Sequence, residues 1–174
     1  MFYLFFPFLY RIMKTIPTKH DLFALLLVTM ASLAVQVAIY LWAEPNKMMG
    51  AFPISQHHFW ISYIFPPARI FEFLAGMFAA RLLINGRAIM LSKTVSLALL
   101  VATYIASMYI PYQFSMSVVF IIPVCLLITS FAGDDLKTRK TALNSPTSVW
   151  LGEISYAFYM VHFLVLFYFL NLTE

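Results

Sequence analysis

Charge is what this chain has least of. Only 10% of its 174 residues are Asp, Glu, Lys or Arg, whereas 63% are hydrophobic and 18% aromatic, at a mean hydropathy of +0.87. Soluble domains carry roughly 25% charged residues. A water-soluble globular protein is therefore excluded and an integral membrane protein indicated. The single cysteine, Cys125, lies within an apolar run; it cannot form an internal disulfide, says nothing about redox compartment and reads as a packing residue. There is no Gly-rich phosphate loop, nucleophile elbow, heptad pattern, internal repeat, low-complexity linker or soluble domain. The net charge of +4 and pI near 9.2 do not make a nucleic-acid binder. Nine of the eleven Lys and Arg residues fall in three short segments between apolar runs: Arg11, Lys14 and Lys19; Arg81, Arg87 and Lys93; Lys137, Arg139 and Lys140. That distribution is a topology signal, with no nucleic-acid partner implied.

What is present are apolar runs of spanning length. Phe2 to Tyr10 is apolar but closed by Arg11 and Lys14, half of the roughly 20 residues that a span needs. Its charge follows the apolar core instead of preceding it, which excludes a cleaved signal peptide. Leu22–Ala43 is the first full span. A loop from Glu44 to Phe65 holds Pro45, Gly50, Pro53 and the cluster Gln56-His57-His58-Phe59-Trp60, and Pro66-Pro67 opens a second span reaching Ile84. Asn85-Gly86 marks a turn, Thr94–Ile110 a third span, Pro111-Tyr112-Gln113 a tight turn, and Phe114–Phe131 a fourth span with a kink expected at Pro123. The third and fourth spans form a hairpin. Gly133–Ser148 is the most polar stretch, and Val149–Leu172 is the fifth span. The fold class expected is all-α: a polytopic transmembrane helix bundle of five full spans plus a partial N-terminal helix, in one domain over residues 1–174. Successive loops carry three, one, three, no, three and no Lys or Arg residues. The basic loops are then cytoplasmic, the His57-His58 loop external and the C-terminus outside.

The organising stretch is Pro66-Pro67-Ala68-Arg69-Ile70-Phe71-Glu72-Phe73-Leu74-Ala75-Gly76-Met77, which places an arginine and a glutamate in an apolar helix. Positions three and four apart share a helix face, so Arg69, Glu72 and Gly76 form one stripe, with Gly76 leaving a gap for another backbone. Ionisable groups at membrane depth face a bundle interior or a wet cavity, and this stripe is the leading site candidate. An internal ion pair that only orients helices is the plainer alternative.

The fifth span holds a second polar set. Ser155, Tyr159 and His162 fall at i, i+4 and i+7 on one face, with Glu153 half a turn away. His162 lies near the midplane and Glu153 near the cytoplasmic face; histidine suits proton transfer, though a lone membrane histidine more often bonds helix to helix. Other candidates weaken. His57 and His58 point to opposite sides of an extended segment, so no metal site is expected. Trp60, Tyr63 and Phe65 could stack on a sugar, but fit an interfacial aromatic belt better. The basic clusters (Arg81, Arg87, Lys137, Arg139, Lys140) could hold the phosphates of coenzyme A, although positive-inside bias accounts for them without a ligand.

Three segments, in order, carry a family resemblance. Phe2-Tyr3-Leu4-Phe5-Phe6-Pro7 resembles the end of the Ser-x-x-x-Glu-x-x-Phe-Tyr-Leu-x-Phe-Pro motif of the acyltransferase-3 membrane acyltransferases. Pro67-Ala68-Arg69-Ile70-Phe71-Glu72-Phe73-Leu74-Ala75-Gly76-Met77 is similar to that family's Pro-x-x-Arg-x-x-Glu-Phe-x-x-Gly segment. Leu151-Gly152-Glu153-Ile154-Ser155-Tyr156-Ala157-Phe158-Tyr159-Met160-Val161-His162 is similar to its Leu-Gly-x-x-Ser-Tyr-x-x-Tyr-x-x-His segment. The resemblance implies a multi-pass enzyme of the cell membrane, a bacterial inner membrane, moving an acetyl or other acyl group from acyl-CoA, without a metal, to a hydroxyl of a carbohydrate or small-molecule acceptor; polysaccharides and some macrolides are acceptors in the family. It gives Arg69, Glu72 and His162 catalytic roles, with Ser155, Tyr159 and Glu153 in support. The family's Arg and catalytic His of the first helix have no match here, nor does the helix that follows the Ser-Tyr-x-x-Tyr-x-x-His span. The chain therefore reads as the C-terminal part of such an enzyme, cut at both ends. The alternatives are a transporter or flippase subunit, which would move substrate without consuming acyl-CoA, and a non-catalytic remnant.

Overall fold

The computed structural model of the chain describes residues 2–43, 48, 54–136 and 145–172. Its elements, in order, are α1 (Phe2–Thr15), α2 (Asp21–Trp42, entered through a 3-10 turn at Thr18–His20), α3 (Gln56–Phe59, running into a π turn at Trp60–Ile64), α4 (Pro66–Ile84), α5 (Lys93–Ser107), α6 (Tyr112–Ser115), α7 (Ile121–Leu136, after a 3-10 turn at Val118–Phe120) and α8 (Pro146–Leu172). Among the described residues there is no strand; Met48 and Ser55 form one isolated bridge. The chain divides into two compact units, Met1–Gly133 and Asp134–Glu174, each described by itself.

Helix ends follow local chemistry. Ser92 caps α5 by accepting the Val95 N–H at 3.3 Å, and Ser145 caps α8 by accepting that of Ser148 at 3.2 Å, with Pro146 in the first position. Gly86, at φ 65°, turns the chain out of α4. Several boundaries differ from the sequence reading: α1 runs on to Thr15, α5 ends at Ser107 and α8 starts at Pro146, and three further differences have a local cause. Residues 56–64, read as loop, are helical: Ser55 accepts the His58 N–H at 3.2 Å, and the segment stops at Phe65, which Pro66 holds extended. The fourth span is broken at its head, because Ser117 (φ −146°, ψ −70°) leaves the helical region and α7 starts at Ile121, placing Pro123 in a first turn where its missing N–H costs nothing; no mid-helix kink is needed. At its other end α7 runs on to Leu136, so Gly133 is helical. Thr18–Trp42 is long and apolar enough to cross a membrane; Lys93–Ser107 and Val118–Asp134 are apolar but shorter.

In the first unit the core joins Met13 of α1, Leu25 and Val28 of α2, Ala75, Met77, Phe78 and Leu82 of α4, and Ile121 of α7. Helices α2 and α4 run antiparallel. At one end Arg81 pairs with Asp21 at 3.1 Å and donates to the carbonyls of Met13 and Ile16, fastening α1, α2 and α4 together. At the other end Gln36 donates to the Ser62 carbonyl at 3.3 Å, Gln113 donates to the Gln36 carbonyl at 3.0 Å, and the His58 ring meets the Ala43 carbonyl at 2.9 Å. Ser96 and Ser130, 2.9 Å apart, join α5 to α7 as the expected antiparallel hairpin.

Beside this apolar core, several polar side chains are buried while large apolar ones face outward. The largest fully buried side chains are Gln36, Asp21, Ser32 and Ser96, all polar, while α2 turns Phe23, Leu27, Met30 and Leu41 outward, each more than half exposed. Water disfavours such an arrangement, and hydrocarbon favours it.

Candidate active site

Helix α4 starts with Pro66-Pro67, so Arg69 and Glu72 occupy its first two turns, on the end of the unit away from the Asp21–Arg81 pair. Arg69 Nη2 and Glu72 Oε2 are 3.0 Å apart, the i, i+3 pairing expected of a shared helix face, with side chains 25% and 23% exposed. The guanidinium lies over the Tyr63 ring, its Cζ 4.6 Å from the centroid, a second contact that holds the cation. The π turn at Trp60–Ile64 brings Tyr63 there. Sequence reading had assigned Tyr63 to an interfacial belt; here it is the platform under Arg69.

The pair opens on a cleft of about 280 Å³ lined by Arg69, Glu72, Gly76, Ser117, Ile121 and Cys125, among others. Ser117 comes from the break ahead of α7. It is 7% exposed and neighbours the Glu72 carboxylate without a hydrogen bond of ordinary geometry. Arg69 Nη1, Glu72 Oε1 and Ser117 Oγ are buried with no hydrogen-bond partner among the described residues. Buried polar atoms are nearly always bonded, so three such atoms around one cleft make it the candidate place for a polar ligand. Nothing in the sequence singled out Ser117, one serine among several in an apolar segment.

Gly76 corrects a second expectation. A Cβ there would meet nothing within 4 Å, so no backbone packs against it; the glycine instead leaves room in the cleft. Close approach occurs at Gly133, where a Cβ would collide with the tip of Met90.

Of the residues proposed for coenzyme A phosphates, Arg81 spends its guanidinium on Asp21 and two backbone carbonyls, Arg87 is exposed, and Lys137, Arg139 and Lys140 lie outside the described residues. Groups of three or more His, Cys, Asp or Glu that could hold a metal do not occur among the described residues.

In the second unit, α8 carries the other predicted set. Ser155 Oγ donates to the Gly152 carbonyl at 2.8 Å, turning the hydroxyl onto its own helix. The His162 Nδ1 edge meets the Tyr159 carbonyl, and the ring centroids of Tyr159 and Phe158 lie 5.4 and 6.0 Å from that of His162. Tyr159 and His162 are thus neighbours, as the i, i+3 spacing requires, and Glu153 is exposed on the same helix.

Residues 1–173 match the sequence pattern of an acyltransferase domain, acyltransferase-3. The chain belongs to the acyltransferase-3 family. A curated member with a similar sequence is the acyltransferase MdmB of Streptomyces mycarofaciens, 32% identical over 167 residues. The alignment covers 96% of this chain and 43% of that relative, so the chain spans less than half the length of the acyltransferase it matches. No solved structure matches it.

Proposed function

We propose that this chain belongs to a multi-pass membrane acyltransferase that moves an acyl group, acetyl in the simplest case, from acyl-CoA to a hydroxyl of a carbohydrate or similar acceptor. The observation that carries this reading is the Arg69–Glu72 pair beside a cleft with three unpartnered polar atoms, in a chain of the acyltransferase-3 family. In the transfer, the acceptor O–H gives its proton to a base, its oxygen forms the new C–O bond at the thioester carbonyl, and the C–S bond breaks to release the thiol. Glu72 orients the acceptor hydroxyl, and Arg69 stabilises negative charge developing on oxygen. His162, braced by Tyr159 and accompanied by Ser155 and Glu153, serves proton movement from the fifth span. Arg81 is committed to Asp21, which leaves Arg87 in the first unit and Lys137, Arg139 and Lys140 in the second as separate candidates for contacts with the CoA phosphates.

The membrane topology proposed is five spans in a bacterial inner membrane, with basic connections in the cytoplasm and the C-terminus outside. It is supported by the buried polar and exposed apolar faces of α2, and by the gathering of Lys14, Arg81 and Arg87 at one end of the first unit, opposite His58 and Gln113. The cleft then opens in the outer half of the bilayer, toward an external acceptor. The test is consumption of [14C]acetyl-CoA by the full-length protein in proteoliposomes. Label recovered as an ester on added acceptor supports the reading; movement of the acceptor across the bilayer with the thioester intact overturns it in favour of a flippase.

A further inference from the structure

We infer that Ser117 is a hydroxyl-positioning residue, the third point of a subsite completed by Arg69 Nη1 and Glu72 Oε1. The three orphaned atoms are one guanidinium N–H, one carboxylate oxygen and one serine hydroxyl, all on residues of the same cleft. An ionised carboxylate only accepts, a guanidinium only donates, and a serine hydroxyl does either. An alcohol has one proton to give and two lone pairs to fill. Its O–H donates to Glu72 and its oxygen accepts from Ser117, which leaves one lone pair free to form the new C–O bond, while Arg69 Nη1 is left to donate to the oxygen on which negative charge develops.

Local structure leaves the Ser117 hydroxyl unbonded to its own backbone. Serines in apolar helices commonly turn their hydroxyl back onto a carbonyl three or four residues earlier, as Ser115, Ser130 and Ser155 do here. Ser117 cannot, because its backbone has left the helix, and its hydroxyl stays buried and unbonded beside Glu72. A buried hydroxyl without a partner is destabilising, and alanine would remove the penalty. An empty pocket for a structural water is the plain competitor: water also offers donors and acceptors.

This inference rests on the acyl-transfer reading, and its test separates the two. Full-length protein in native membranes is given [14C]acetyl-CoA, and label is divided between hydroxylamine-labile ester on the endogenous acceptor pool and free acetate. The ratio of ester to acetate does not depend on how much protein is folded. Ser117→Ala is expected to lower that ratio about three- to tenfold, the loss of one hydrogen bond to the acceptor, with an unfolding midpoint equal to or above that of the unsubstituted protein. Ser117→Thr, which keeps a hydroxyl, restores the ratio. An unchanged ratio in Ser117→Ala, or a ratio that Thr does not restore, overturns the subsite while leaving the transfer reading intact. Unsubstituted protein that consumes no acetyl-CoA overturns both.

Discussion

Breaking the Asp21–Arg81 pair is expected to unfasten the first unit, and the two partners are not expected to contribute independently. Asp21 is fully buried and Arg81 is 13% exposed; Arg81 Nε stands 3.1 Å from Asp21 Oδ2 while its two terminal nitrogens hold the carbonyls of Met13 and Ile16. Removing one partner of a buried pair costs about 3–5 kcal/mol, because the other charge is left without compensation. Asp21→Leu should fall at the lower end, since the guanidinium keeps two carbonyls. Arg81→Met should fall at the upper end, since it strands an anion and releases the end of α1. The double variant strands no charge and should cost only about 2–3 kcal/mol, the worth of the lost carbonyl contacts. The coupling between the sites is therefore at least about 3 kcal/mol, far above the roughly 0.5 kcal/mol within which independent sites add. Reversible unfolding in mixed micelles, run as a double-mutant cycle on the full-length protein, measures it. Costs that add within that margin would refute the reasoning.

Three further outcomes are expected. Gly76→Ala should stabilise α4 by about 0.5–1 kcal/mol, because its Cβ meets nothing, whereas Gly76→Phe should fill the cleft and abolish acetyl transfer without lowering the unfolding midpoint. Gly133→Ala should stabilise less than Gly76→Ala, because its Cβ must displace the flexible tip of Met90, and a double-mutant cycle with Met90→Ala should show the two sites coupled; no coupling would contradict the close approach. Ser96→Ala and Ser130→Ala should show a coupling near 0.6 kcal/mol, the usual worth of a hydrogen bond between membrane helices, and no coupling would show that α5 and α7 do not meet there.

Much of the helix order was legible because it rests on local signals: the apolar run that became α2, and Pro66-Pro67 opening α4. Arg69 and Glu72 were legible for the same reason, since i, i+3 pairing is a property of one helix. What the sequence hid depends on residues far apart in the chain. Asp21, beside a basic segment and ahead of an apolar run, carried no sign that Arg81 was its partner. Ser117 became significant only once the backbone broke ahead of Ile121, and that break reflects a first turn built around Pro123 instead of a kink. Gly76 does not serve the backbone approach expected of it, because a glycine's use depends on what faces it: an open cleft at Gly76, the tip of Met90 at Gly133. The helical turn over residues 56–64 was missed because histidines and aromatics masked a single capping serine at 55.

The most direct test of the central claim is acetyl transfer by the full-length protein carrying Arg69→Lys or Glu72→Gln, with the unfolding midpoint of each variant measured alongside. Lysine keeps the charge but not the planar fork over Tyr63, and glutamine keeps the size but not the anion. If the cleft is where the hydroxyl acceptor and developing charge are held, each variant should lose at least about a hundredfold in rate while remaining folded. Folded variants that transfer acetyl at the unsubstituted rate would contradict the account, leaving Arg69 and Glu72 as an ion pair that only orients helices.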